Sequence, residues 1–194
     1  MARNLEKYRV RILCEDKKHY DFIRSFMVAQ GIRDTRKFDS ITLPEGTQSG
    51  EQYVRDRFIA EYRKYIRVRE NKILVVVQDI DKDWRTPENA KSDFNKLVQE
   101  DNLNPLNATD KLLFIFPKKN IETWLVWLAQ DVKSDTIDET KDYKHSQNQM
   151  TPALAGKKAG KLYTESRTNA AVCANAPKSL VFACMEFESL CSMI

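Results

Sequence analysis

Residues 73–77, ILVVV, are aliphatic without a break and run straight into QDIDKDW, which carries Asp79, Asp81 and Asp83. β-Branched side chains are stiff in a helix but pack well on a pleated surface, and an unbroken apolar run marks a strand covered on both faces, as in a parallel sheet. The rest of the chain must therefore supply two covering layers. YRVRILCE (8–15) alternates and then turns apolar, and KLLFIFP (111–117) is a further apolar run closed by Pro117. Helical spacing fills the intervals. Tyr20, Ile23, Phe26 and Met27 share a stripe that ends at Gly31, and Val54, Phe58, Tyr62 and Ile66 share another within 51–70. Thr86 and Pro87 have the order of an N-cap and a first helical residue, and Ile121, Trp124, Leu125 and Leu128 form a fourth stripe. Strands alternating with helices predict an α/β fold, a mostly parallel sheet flanked by helices with right-handed crossovers. A short strand and loop are expected in 38–50, a mobile polar loop in 131–152, and helices in 153–169 and 178–193. The expectation is one domain over 1–194, with 131–194 as a helical C-terminal extension.

Composition excludes several classes. With 42% hydrophobic and 31% charged residues, 5 glycines and 6 prolines, the chain is neither repetitive nor disordered. No run approaches the roughly 18 apolar residues of a membrane span, and the opening MARNLEKYRV has charge but no apolar core. A cytoplasmic protein without membrane contact is expected. Cys14, Cys173, Cys184 and Cys191 lack CxxC spacing and lie far from His19 and His145, which reads as buried thiols rather than a zinc site or disulfides. The net charge of +4 permits nucleic-acid contact without demanding it.

The acids are the chemical signal. In an open parallel sheet, ligands bind beyond the carboxyl ends of the strands. Glu15 closes the first strand, and Asp79, Asp81 and Asp83 follow the central one. If these strands are neighbours, the carboxylates converge, and close like charges call for a cation. Hard oxygen donors suit magnesium or manganese. Alternate spacing would carry the three aspartates to one side if the chain stayed extended. An acid after a strand is equally the signature of a turn or a helix cap.

ILCEDKKHYDFIRSFM followed by ILVVVQDIDKD resembles the TOPRIM domain, with a Glu ending the first strand and a DxD after a later one. It is similar also to small standalone TOPRIM-like proteins of the RloB type and to the nuclease part of the OLD (overcoming lysogenisation defect) family. FPKKNIETWLVWL is similar to the later strand and acid-bearing helix of that family. The resemblance covers about residues 8–130, and it departs from the family pattern where Asp16 replaces the Gly after the first Glu. It implies a TOPRIM-like sheet and a Mg²⁺- or Mn²⁺-dependent nuclease acting on DNA or RNA, in the setting of phage defence. On that reading Glu15, Asp79 and Asp81 ligate metal and do the chemistry, Asp83 is a second metal ligand or positions water, and Glu122 is the acid of a second metal site; Glu15 is alternatively a general base.

Lysines offer partners for phosphate. GKKAGKLY supplies Lys157, Lys158 and Lys161, of which Lys158 is the candidate for the catalytic lysine that the resemblance to OLD-type nucleases implies near the metals, and Lys118 and Lys119 precede Glu122. Taken singly, each reads more readily as a solvated surface lysine. The same stretch mimics a phosphate loop but has three residues between its glycines and Leu162 in place of Ser or Thr. Arg55, Arg63, Arg67 and Arg69 mark a basic helix that is the best candidate nucleic-acid surface, but its acids argue for an ordinary salt-bridged face instead. The competing expectation is a non-catalytic or partner-dependent module that binds nucleic acid or a companion ATPase. A receiver-like phosphoacceptor is the third option, and it lacks an evident Thr.

Overall fold

The computed structural model describes residues 5–44, 49–107, 109–130 and 136–194. Strands β1 (Arg9–Cys14), β2 (Phe38–Ile41), β3 (Lys72–Val77) and β4 (Leu112–Ile115) form one sheet in the order β2-β1-β3-β4. Every pairing is parallel, and Cys14 stands beside Val77 at the ends of the two central strands. The expected Rossmann-like α/β class is the observed one.

Alternation along the strands sorts the core into two layers. Val10, Ile12, Cys14, Ile73, Val75 and Val77 face one side, with α1 (Lys17–Ala29), α4 (Ile121–Ala129), α5 (Pro152–Ser166) and α6 (Lys178–Ser192). Leu13, Leu74, Val76, Phe114 and Phe116 face the other, with α2 (Gly50–Arg67) and α3 (Pro87–Glu100). The period of two in strand side chains produces this division, and it explains why β3 is apolar at every position. Residues 121–128 of α4 are all buried, so this helix is apolar on every face because protein surrounds it. Its Asn120 caps the helix by accepting from the Thr123 amide at 3.2 Å.

The C-terminal helices are part of the first layer. Gly156 and Gly160 lie against α1: a Cβ at Gly156 would overlap the carbonyl oxygen of Phe22, and one at Gly160 would lie 2.7 Å from the Cβ of Ala29. The glycines that mimic a phosphate loop thus serve a close helix crossing. Gly156→Ala is expected to lower stability by about 2 kcal/mol, because overpacking costs up to ~3 kcal/mol and helix propensity returns about 1. Urea denaturation checks this, and an unchanged midpoint would refute it.

Of the loop expected over 131–152, residues 131–135 lie outside the described residues, and 136–151 are irregular but not free. Asn120 donates to Asp142 at 2.7 Å, and the Met150 amide donates to the Leu125 carbonyl at 3.2 Å. Glu139 accepts from the amides of Lys178 (2.7 Å) and Ser179 (3.1 Å), capping α6, whose own N-cap position is Pro177. One polar side chain of this irregular segment thus closes a distant helix end. Cys14 and Cys191 are buried cysteines, and Cys173 and Cys184 are half-buried. Among the described residues no helix is long and apolar enough to cross a membrane.

Candidate acidic site

Because β1 and β3 are parallel neighbours in register, the residues just beyond them meet at one edge. Glu15 Oε1 accepts the backbone N–H of Asp79 at 2.8 Å. Gly50, at the start of α2, lies against the Glu15 carboxylate so closely that a Cβ would overlap Oε2. Burial, reinforced by the charge of Asp79, pushes the Glu15 carboxyl up to about 8. Burial also raises Asp79, and Glu122 and Asp16 add to the effect while His19 opposes it.

His19 is the residue sequence reasoning passed over. Its ring is 1% exposed and lies between two carboxylates, with Nδ1 2.7 Å from Asp16 Oδ1 and Nε2 2.9 Å from Asp79 Oδ1. Burial disfavours a charged imidazole, but Asp79 and Asp16 outweigh it and hold the ring well above its ordinary value. Both ring nitrogens then donate. Asp16, in the position of the glycine in the resembling family, caps α1 by accepting the His19 amide at 3.1 Å. Burial works to raise its carboxyl, and the His19 bonds prevail and hold it down at about 2. The signal was available as D-x-x-H at the helix start, a spacing that places the ring over its own cap.

Glu122 also reaches this region. It is 4% exposed at the start of α4, and Lys18 of α1 forms an ion pair with it. The structure thus gathers Glu15, Asp79 and Glu122, with Asp16 at the margin, around His19 and Lys18.

The other expected residues are placed differently. Asp81 is exposed, and the extended geometry that would align it with Asp79 and Asp83 ends in a turn, where the Arg85 amide donates to Lys82 O at 3.1 Å. Asp83 pairs instead with Lys119, at 2.7 Å. Lys119, with φ of 63°, also donates to Asp81 O at 3.0 Å. Lys118 Nζ donates to the carbonyls of Lys82 (2.7 Å), Asp83 (2.8 Å) and Arg85 (2.7 Å). Both lysines brace the loop after β3 by their amines. Lys158 donates to Leu128 O (2.7 Å) and Gln130 O (3.1 Å), closing the far end of α4 from Glu122. Lys157 and Lys161 are exposed on α5. On α2, Arg63 pairs with Asp101 at 2.6 Å, and the buried Glu61 takes Arg11 at 2.6 Å and Lys64 at 2.8 Å, which is the salt-bridged face.

The groups with the chemistry to accept a hard cation are the Glu15 and Asp79 carboxylates, both desolvated and both raised in proton affinity. Gln78, whose Nε2 donates to Glu51 at 3.3 Å, has a buried Oε1 with no hydrogen-bond partner. Among the described residues no group of three or more His, Cys, Asp or Glu side chains is placed to hold a metal ion. Scans of the chain against family models, curated proteins and solved structures gave no match.

Proposed function

We propose that the chain is a metal-dependent phosphodiesterase that cuts nucleic acid at the edge formed by β1 and β3. The observation that carries this reading is the Glu15–Asp79 pair: two carboxylates on adjacent strand ends, both pushed up in pKa by burial, Glu15 further by the charge of Asp79 and Asp79 further by Glu122 and Asp16. The donor set fits Mg²⁺ or Mn²⁺, since magnesium is commonly held by one or two carboxylates with water and substrate phosphate completing its shell. Such an ion, when bound, supplies charge for the phosphate and acidity for its water. Glu15 and Asp79 would hold it, with Asp81, exposed in the loop after β3, and Glu122, at the start of α4, as further acids. His19 fixes the orientation of Asp79 through Nε2, and Asp16 in turn fixes the ring through Nδ1, an arrangement known to orient ligating side chains. Without a metal, Glu15 still carries a proton near neutral pH and has the properties of a general acid or base.

The test is incubation with plasmid, single-stranded DNA and RNA in Mg²⁺, Mn²⁺ or chelator, beside Asp79→Ala. Cleavage in metal that disappears in chelator and in the variant is the expected result. A wild-type chain that cuts nothing, and shows no Mn²⁺ binding by calorimetry, would sink the reading.

A specific observation favours a second reading, the partner-dependent module. The lysines nearest the acids are committed: Lys18 to Glu122, Lys118 to three carbonyls and Lys119 to Asp83. Phosphate charge would then be met by cations of another protein, such as a companion ATPase. Mn²⁺ binding without cleavage by the isolated chain is its signature.

A further inference from the structure

Trp84 is the most exposed large apolar side chain among the described residues, at 73%. The turn that presents it is braced. Lys118 holds three of its carbonyls, Lys119 holds Asp83, and Arg85, at 6% exposure, is anchored to Glu51 at 2.5 Å and Asp93 at 2.9 Å. A rigid turn that keeps an indole in water forgoes the gain from burying it. The ring borders an open cavity of about 360 Å³ lined by Glu51, Gln52, Arg55, Lys82, Arg85 and Asp93. Lys82 Nζ lies 5.6 Å from the ring centroid.

The surroundings select the ligand. A protein-contact aromatic sits among apolar neighbours in the centre of its patch, and here no aliphatic side chain lines the cavity. Arg85 bridges the two acids and Lys96 also pairs with Asp93 at 3.2 Å, leaving Lys82 and Arg55 as the further cations. A flat π-surface beside cations matches a planar, polar-edged, negatively charged ligand. The cavity also adjoins the acidic edge: Gly50 packs on Glu15, and the next residue, Glu51, bonds Arg85 and accepts from Gln78 Nε2 at 3.3 Å.

We propose that Trp84 is a stacking platform for an unpaired base of single-stranded nucleic acid, with Lys82 and Arg55 meeting the flanking phosphates. This rests on the reading of the acidic edge as a nucleic-acid site and narrows its substrate to strands with accessible bases. In a duplex the bases are already stacked on one another, and a solvent-facing indole has no face to take.

The protein reports on itself, because the other two tryptophans, Trp124 and Trp127, are fully buried. The full chain is titrated in EDTA and in Ca²⁺ with an oligothymidylate of about a dozen nucleotides, an abasic strand of equal length, and a duplex. The single strand is expected to quench the exposed emission; the abasic strand and the duplex are not. Trp84→Ala, checked for an unchanged melting curve, is expected to weaken single-strand binding by about fivefold or more, and Trp84→Phe to retain most of it. Equal effects of the abasic strand or the duplex, or an unaltered affinity in Trp84→Ala, would overturn the inference. So would the absence of binding in both buffers. Asp79-dependent cleavage that ignores Trp84 overturns this inference alone, whereas Trp84-dependent binding without any cleavage leaves it standing and removes the nuclease reading.

Discussion

His19→Ala is expected to destabilise the metal-free protein by about 3–5 kcal/mol, the cost of removing one partner from a buried charged pair. The ring is 1% exposed and satisfies Asp79, itself 8% exposed, at 2.9 Å and Asp16 at 2.7 Å. Truncation leaves Asp79 without its only cationic hydrogen-bond donor among the described residues, while the carboxylates of Glu15 and Glu122 remain nearby. The cavity adds to the loss. For a domain of this length each kcal/mol moves the melting temperature by about 2–4 °C, so the midpoint is expected to fall on the order of 10 °C. The measurement is thermal denaturation in chelator at pH 7. A loss under about 1 kcal/mol would show that the imidazole is neutral and that its two contacts are ordinary surface-strength bonds.

The parts of the site that were legible in sequence depend on single strands and their neighbours. Val75, Val76 and Val77 announce a doubly covered strand, and parallel packing then brings Glu15 and Asp79 to one edge, since all carboxyl ends of such a sheet lie together. Asp83 was misplaced because alternate spacing holds only while the chain is extended, and the turn at Lys82–Arg85 ends that. The roles of Lys118 and Lys119 depend on a backbone that enters the left-handed region at Lys119, which favours no lysine in advance. Gly156 and Gly160 differ from a phosphate loop only by what faces them, here the backbone of Phe22 and the side chain of Ala29, which no local pattern encodes. The same holds for Lys158 and Glu139, each satisfying a helix end that its neighbours in sequence do not announce. His19 shows both limits, since its contact with Asp16 is local and its contact with Asp79 spans the sheet.

The metal-free protein is also expected to lose stability as pH rises from about 4.5 to about 8, a window set by the ordinary and folded values of Glu15. A carboxyl whose pKa is raised on folding binds its proton more tightly in the native state. Its contribution is therefore complete below the unfolded value and gone above the folded one. His19, raised well above its ordinary value, and Asp79, also raised, act with the same sign. Asp16, held down at about 2, acts with the opposite sign but only in acid, below the window. At ~1.4 kcal/mol per pH unit of displacement, and allowing for the water that reaches a half-buried carboxyl, Glu15 alone accounts for on the order of 3 kcal/mol. Melting curves in chelator between pH 5 and pH 9 test this. Glu15→Gln keeps an acceptor for the Asp79 amide and removes the titration, so the variant is expected to be flatter with pH and more stable than the wild type above pH 8. Divalent cation competes with the proton for the same oxygens, so adding Mn²⁺ is expected to raise the wild-type midpoint more at pH 8.5 than at pH 6, and to do so little in Glu15→Gln. A wild-type midpoint that rises across the window in chelator would show that Glu15 is ionised in the fold, and that the acidic edge carries its charge without needing a cation.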